Sequence, residues 1–161
     1  MILTIYTIIH VIISLIGILS GAVVLLGLLG NQRLAGWTKL FLWTTVLTSV
    51  TGFFFPAHTI LPSHITGIIS LVLLAVAIYA RCPKQMAGAW RKVYVVTAML
   101  AFYLNVFVLI VQSFLKIPAL KALAPTQTES PFKITQLAVL VIFLVLIVMA
   151  AIRFKGDSSK A

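Results

Sequence analysis

Five apolar runs dominate the sequence, and each is long enough to cross a bilayer as a helix. A transmembrane helix needs about 20 mostly apolar residues. The runs cover residues 2–29, 35–55, 62–80, 93–115 and 132–152. Proline, glycine or amide residues separate them, and such residues typically end or begin helices. The pattern predicts an all-α bundle of five transmembrane helices. It also predicts a single domain over residues 1–161, because no linker is long or polar enough to separate two.

Composition supports the membrane class. Hydrophobic residues make up 62% of the chain and charged residues 9%, whereas an ordinary soluble domain is about half apolar and about a quarter charged. The first run has no basic residue before Arg33 and stays apolar far beyond the core of a signal peptide. We therefore expect it to be retained as a span.

The basic residues predict an orientation. The net charge is +10, but the charges lie between the apolar runs rather than in one patch, so we expect no nucleic-acid partner. With the N-terminus outside, nine basic residues fall inside and three outside, which the positive-inside rule favours. The inner nine are Arg33, Lys39, Arg81, Lys84, Arg91, Lys92, Arg153, Lys155 and Lys160, and the outer three are Lys116, Lys121 and Lys133.

The scarcity of acidic residues excludes many mechanisms. Glu129 and Asp157 are the only carboxylates, and both lie outside the apolar runs. No proton relay, carboxylate metal site, paired-carboxylate mechanism or Ser-His-Asp triad can therefore form inside the membrane. Cys82, the only cysteine, has no partner for a disulfide or a redox dithiol. The sequence thus favours a protein that is not an enzyme.

Small and polar residues mark the faces of the spans that point inward, because close packing and hydrogen bonds join helices in lipid. In the first span one helical stripe contains His10, Ser14, Gly17, Gly21, Val24 and Leu28. In the fourth span the corresponding stripe contains Thr97, Ala101, Asn105, Gln112 and Lys116, with Val108 or Leu109 filling the missing step.

These stripes and the fifth span predict a polar layer in the outer half of the bundle. At a rise of about 1.5 Å per residue, His10, His64, Gln112 and Gln136 lie roughly 8–12 Å outward of the midplane, and Asn105 lies near it. Polar groups inside a membrane are expensive and often mark a ligand site. We therefore predict that these five residues line a binding site.

Haem b is one candidate cofactor. His10 and His64 come from different helices at similar depth and could serve as two axial ligands. Lys116 or Lys133, near the outer surface, could meet the propionates.

A quinone or similar ring is a second candidate, held by hydrogen bonds from His10, His64, Gln112 or Tyr103. A metal ion is a third, bound by His10, His58 and His64, although no carboxylate or thiolate completes that set. A purely structural role is the alternative to all three, in which each polar group joins two helices through a hydrogen bond worth about 1 kcal/mol.

Two further segments suggest partners. The fifth span is almost wholly aliphatic after Gln136, so we expect it to face lipid, another membrane protein or a second copy of the chain. In the outer loop, ALKALA between two prolines predicts a turn or two of helix at the interface, with Leu120 and Leu123 toward lipid.

Two stretches carry a resemblance to a known family. They are LFLWTTVLTSVTGFFFPAHTILPSHITGIISLVLLAVAIYAR, residues 40–81, and the later AGAWRKVYVVTAMLAFYLNVFVLIVQSFLKIPALKALAPTQTESPF. In these the chain resembles a family of small multi-spanning bacterial inner-membrane proteins without an assigned activity. The resemblance implies the inner membrane as the location. Together with the polar layer, it predicts a small membrane binding or accessory protein, or alternatively an electron-transfer protein that uses haem b or a quinone.

Overall fold

The computed structural model describes residues 1–56 and 62–156, without the side chains of Pro62 and Ser63. Every regular element in this part of the chain is a helix, which confirms the all-α class. The helices are α1 (Ile2–Leu29), α2 (Ala35–Gly52), α3 (Pro62–Arg81), α4 (Trp90–Lys116), α5 (Pro118–Leu123) and α6 (Ser130–Arg153).

Four of these helices, α1, α3, α4 and α6, are long and apolar enough to cross a membrane, which indicates an integral membrane protein. The sequence predicted a fifth span at residues 35–55. At these residues the structure has α2, which is the shortest of the long helices, at 18 residues, and which carries Lys39 and several threonines. These residues lower its hydropathy below that of the other four helices.

Helix ends differ from the predicted spans by a few residues. The α2 helix ends at Gly52, and Phe53 and Phe54 turn back to the carbonyls of Val50 and Thr51. The α6 helix begins at Ser130, two residues before the predicted span, because Pro131 fits the first turn of a helix, where no amide proton is needed. The short helix α5 lies where the sequence predicted a turn or two of helix.

The first four helices form a closed ring. Each packs on the next, α1 on α2, α2 on α3 and α3 on α4, and α4 returns to α1. Outside this ring α6 packs on α4 and α1 and buries only Phe143, Ile147 and Ala150. Most of its other large side chains are exposed, as the aliphatic sequence led us to expect.

One half of the ring is tightly packed, and we call it the packed half. Its core is built from large apolar side chains that are almost completely buried, together with small residues at helix crossings. The members from α1 to α4 are Val24, Leu25, Leu28, Phe41, Leu42, Leu74, Ala77, Ala80, Tyr94, Val95, Ala98, Met99, Ala101 and Phe102. They come from the second half of α1 and α3 and the first half of α2 and α4, as expected for helices that alternate in direction.

Two glycines of α1 allow this close packing. A Cβ atom at Gly21 would lie 2.7 Å from Cδ2 of Phe102, and one at Gly17 would lie 3.2 Å from Oγ1 of Thr44. The Phe102 ring is itself held edge-on between Phe41 and Phe143, with centroid distances of 6.0 Å and 5.1 Å. The helices therefore meet closely because Gly17 and Gly21 have no side chains.

The residues after α6 are hydrogen-bonded to the loops at the end of the packed half. Arg91 donates from Nη1 to the carbonyl of Lys155 at 2.7 Å, and the Lys155 amide donates to Oδ1 of Asn31 at 2.8 Å. Nearby, the Lys84 ammonium lies 5.6 Å from the ring centroids of both Tyr79 and Trp90. Basic side chains and aromatic rings thus cluster at this end, as is typical of a membrane interface.

Candidate functional site: a polar cavity between four helices

The other half of the ring, which we call the cavity half, encloses a cavity of about 510 Å³. Ligand pockets typically have volumes of about 300–1,000 Å³. Side chains from α1, α2, α3 and α4 form its walls, with Phe55 from the turn after α2. The polar lining residues are Thr7, His10, Ser14, Thr48, Ser49, His64, Thr66, Ser70, Asn105, Gln112, Ser113 and Lys116.

His10 projects from α1 toward α2. Its Nδ1 lies 2.8 Å from Oγ1 of Thr51, and its ring meets the Phe55 ring edge-on with centroids 5.0 Å apart. Gly52 leaves room beside it, since a Cβ there would lie 3.9 Å from Cε1 of His10. The imidazole is therefore held in one orientation by a hydrogen bond and a ring contact.

His64 enters the cavity from the first turns of α3. Its ring stacks on Phe53, with a centroid distance of 5.8 Å and an angle of 11° between the planes. Gly67, one turn along α3, permits this arrangement, because a Cβ at that position would lie 3.1 Å from Cζ of Phe53. The turn after α2 thus supplies one aromatic ring to each histidine of the cavity.

Asn105 forms the floor where the cavity half meets the packed half. Its Nδ2 lies 3.4 Å from Oγ1 of Thr45 and 3.5 Å from the position of a Cβ at Gly17. Both neighbours belong to the close contact between α1 and α2. The floor therefore rests on the close contact between α1 and α2.

Gln112 and Lys116 lie one and two helical turns farther along the cavity-facing side of α4 than Val108. The Gln112 amide lines the cavity, is half-buried and has no hydrogen-bond partner within the described residues. A polar atom inside the cavity can therefore bond to it. The Thr48 hydroxyl also has no partner within the described residues, but it is buried in the opposite wall, out of reach of a ligand.

Most of the other hydroxyls of the cavity bind their own helices. Thr7, Ser14 and Ser113 each donate to the carbonyl four residues earlier, at 2.7–2.8 Å. Ser49 of α2 donates to Ser70 of α3 at 3.2 Å. These groups make the walls polar, but Thr7, Ser14, Ser49 and Ser113 have already used their protons, so we expect a ligand to meet mainly His10, Gln112 and Lys116.

Among the described residues, no carboxylate lines this cavity. The acidic group of Glu129 lies outside it, in the turn before α6, where its two oxygens accept hydrogen bonds from Thr126 and Thr128. Lys116 therefore gives the cavity a positive charge. This favours ligands with hydrogen-bond acceptors near Lys116 over cations.

The structure brings four of the five predicted site residues together, namely His10, His64, Asn105 and Gln112. Gln136 does not line the cavity. Its Nε2 donates to the Phe107 carbonyl at 3.3 Å, and its Oε1 is buried with no partner in the described part of the chain. Tyr103, considered above for a quinone, packs instead against Phe107 and Phe143.

Of the predicted metal ligands, His58 lies outside the described residues. Within those that are described, no three His, Cys, Asp or Glu side chains group closely enough to hold a metal ion. The sequence also gave no sign that Phe55 lines the site. Thr44, Thr48 and Thr51 follow one another at helical spacing in the sequence, a pattern typical of helix packing that does not by itself indicate a site.

Comparisons of the chain with protein-family models, with curated proteins and with solved structures found no match.

Proposed function

We propose that this protein is an integral membrane binding protein whose cavity holds one small, largely apolar molecule with a polar head. The observation that carries the proposal is the convergence of His10, Gln112, Asn105 and Lys116 on one cavity between four helices. In a purely structural layer each of these groups would join two helices through a hydrogen bond. His10 and Asn105 do so with Thr51 and Thr45 of α2, but Gln112 has no partner within the described residues, and neither has Nε2 of His10.

The walls indicate the body of the ligand. Val11, Leu15 and Ile18 of α1 line the cavity together with Leu104 and Val108 of α4. An aliphatic or aromatic body would replace lipid or water against these side chains, and burial of apolar surface contributes about 25 cal/mol per Å². The polar groups then fix how the head is oriented.

A haem b is the second candidate, favoured because both His10 and His64 line the same cavity. Lys116 at its edge suits a propionate. An absorbance spectrum of the purified protein, oxidised and then reduced with dithionite, tests this directly. A Soret band that His10→Ala and His64→Ala each remove would support haem, and a colourless protein would exclude it.

The proposed setting is a bacterial inner membrane, with α2 as a fifth span and the N-terminus outside. The position of α2 in the ring supports its assignment as a span, because α1 and α3 both pack along it. The excess of basic residues at the end of the packed half supports the orientation. A reporter fused after Ala161 should be active only on the cytoplasmic side. Activity on the outer side alone would show that the topology is the reverse of the one proposed.

Two glutamines provide a matched test of the site. Gln112→Leu should weaken the binding of a short-chain benzoquinol several-fold, because a hydrogen bond contributes about 0.5–1.5 kcal/mol. Gln136→Leu should leave binding unchanged, because Gln136 lies outside the cavity, and should change stability little, since it removes a long hydrogen bond to the Phe107 carbonyl together with a buried oxygen that has no partner among the described residues. Titration and thermal unfolding in detergent measure both. Equal losses of binding in the two variants would contradict the assigned site.

A further inference from the structure

The proton of the Thr51 hydroxyl determines which nitrogen of His10 carries a proton. Oγ1 of Thr51 lies 2.6 Å from the carbonyl oxygen of Leu47 and 2.8 Å from Nδ1 of His10. A carbonyl can only accept a hydrogen bond, so the short contact to Leu47 uses the one proton of the hydroxyl. Toward His10, the Thr51 oxygen can therefore only accept.

It follows that Nδ1 of His10 carries a proton and donates it to Thr51. In the neutral imidazole, Nε2 is then unprotonated and presents a lone pair. Thr51 itself does not line the cavity, whereas His10 does. Nδ1 thus points to the helix wall, and Nε2 has no hydrogen-bond partner among the described residues.

The surroundings keep Thr51 in place. The Tyr6 hydroxyl donates to the Thr51 carbonyl at 2.5 Å, and the Tyr6 ring packs on Phe55 with centroids 5.0 Å apart. Phe55 also contacts the His10 ring edge-on. Thr51, Tyr6 and Phe55 therefore form one unit that fixes both the position and the tautomer of His10.

We infer that Thr51 is a positioning residue that makes His10 a hydrogen-bond acceptor, so that the cavity selects ligands whose head brings a hydroxyl donor, such as the quinol form of a quinone. This inference rests on the proposed function and names the ligand class of the same cavity. A quinol donates from its hydroxyl to Nε2, whereas the oxidised ring offers only acceptors there. The other polar groups, Gln112 and Lys116, can donate to the second oxygen of the ring.

Nitrogen NMR of the imidazoles tests the tautomer without any ligand. Protein labelled with ¹⁵N-histidine should show one ring with a protonated Nδ1 and an unprotonated Nε2, and this signal should be missing in His10→Asn. Thr51→Ser should keep the pattern, and Thr51→Val should lose it. A His10 ring protonated at Nε2, whether as the other tautomer or as imidazolium, would overturn the inference.

Titration with matched probes tests the ligand class. A short-chain benzoquinol kept reduced under argon should bind about threefold to tenfold more tightly than the same molecule oxidised, which is the effect expected of one hydrogen bond. The preference should persist in Thr51→Ser and disappear in Thr51→Val. Equal affinity for both forms in the wild-type protein, or tighter binding of the oxidised form, would overturn the ligand class.

The two proposals fail in different ways. If neither probe binds but a different molecule is retained in the cavity through purification, the proposed function stands and the inferred ligand class is wrong. If no probe binds and no molecule is retained, the proposed function fails, and the ligand class fails with it.

Discussion

Replacing Gly21 with alanine is expected to lower the free energy of unfolding by about 1–3 kcal/mol, the usual cost of adding volume to a packed core. The added Cβ would lie 2.7 Å from Cδ2 of Phe102 and 3.0 Å from its Cγ. The ring cannot move aside, because Phe102 is 4% exposed and lies between Phe41 and Phe143. The α1 and α4 helices must therefore separate.

Gly36→Ala is the matched control. A Cβ at Gly36 meets nothing within 4 Å, and the residue lies in the exposed first turn of α2. Alanine there should be neutral or stabilising by about 0.5–1 kcal/mol, because glycine is the poorer helix former. Unfolding in mixed detergent measures both variants. Similar stability of Gly21→Ala and the wild-type protein would show that the packed half is looser than described.

Replacing Ser14 with phenylalanine should reduce the affinity for a cavity ligand at least about tenfold, a difference of 1.4 kcal/mol. Ser14 lies one turn from His10 and lines the cavity, and its hydroxyl only bonds back to the His10 carbonyl. A phenyl ring at this position would occupy space that the ligand needs. Titration of the benzoquinol probe against the wild-type and variant proteins measures the loss.

The same substitution on the outer side of α1 separates filling of the cavity from a general effect on the helix. Ile12 is 51% exposed and does not line the cavity. Ile12→Phe should bind the probe as tightly as the wild-type protein. Equal losses in the two variants would place the ligand elsewhere on the molecule.

The sequence was most informative where one helix carries a full stripe of small and polar residues. In α1, His10 and Ser14 line the cavity while Gly17, Gly21 and Val24 are buried in the packed half. The stripe therefore gave the face of the helix that points inward. The cavity ends at the level of the helix where glycines replace the polar residues of the stripe.

Depth along a helix was not enough to place Gln136. A position near the level of His10 does not say which way α6 is rotated, and its aliphatic sequence has no stripe to indicate this. In the structure Gln136 meets the Phe107 carbonyl on α4, outside the cavity. The rotation is set by the contacts of Phe143 and Ile147 with the ring, which require the three-dimensional packing.

The role of Thr51 could not be read from the sequence for a similar reason. Threonines within a helix usually bond to the preceding turn, and Thr51 does so with Leu47. Its second contact, with His10, depends on the register between α1 and α2, where Gly17 of α1 packs against Thr44 and Thr45 of α2. Only the relative position of the two helices makes the tautomer of His10 predictable.

The central claim is that the cavity holds a molecule, and a native mass spectrum in mild detergent tests it most directly. We expect the wild-type protein and Ile12→Phe to carry a small bound molecule, about one per chain, that Ser14→Phe lacks. A wild-type protein without added mass, under conditions where it stays folded, would contradict the claim. So would the same bound mass in Ser14→Phe.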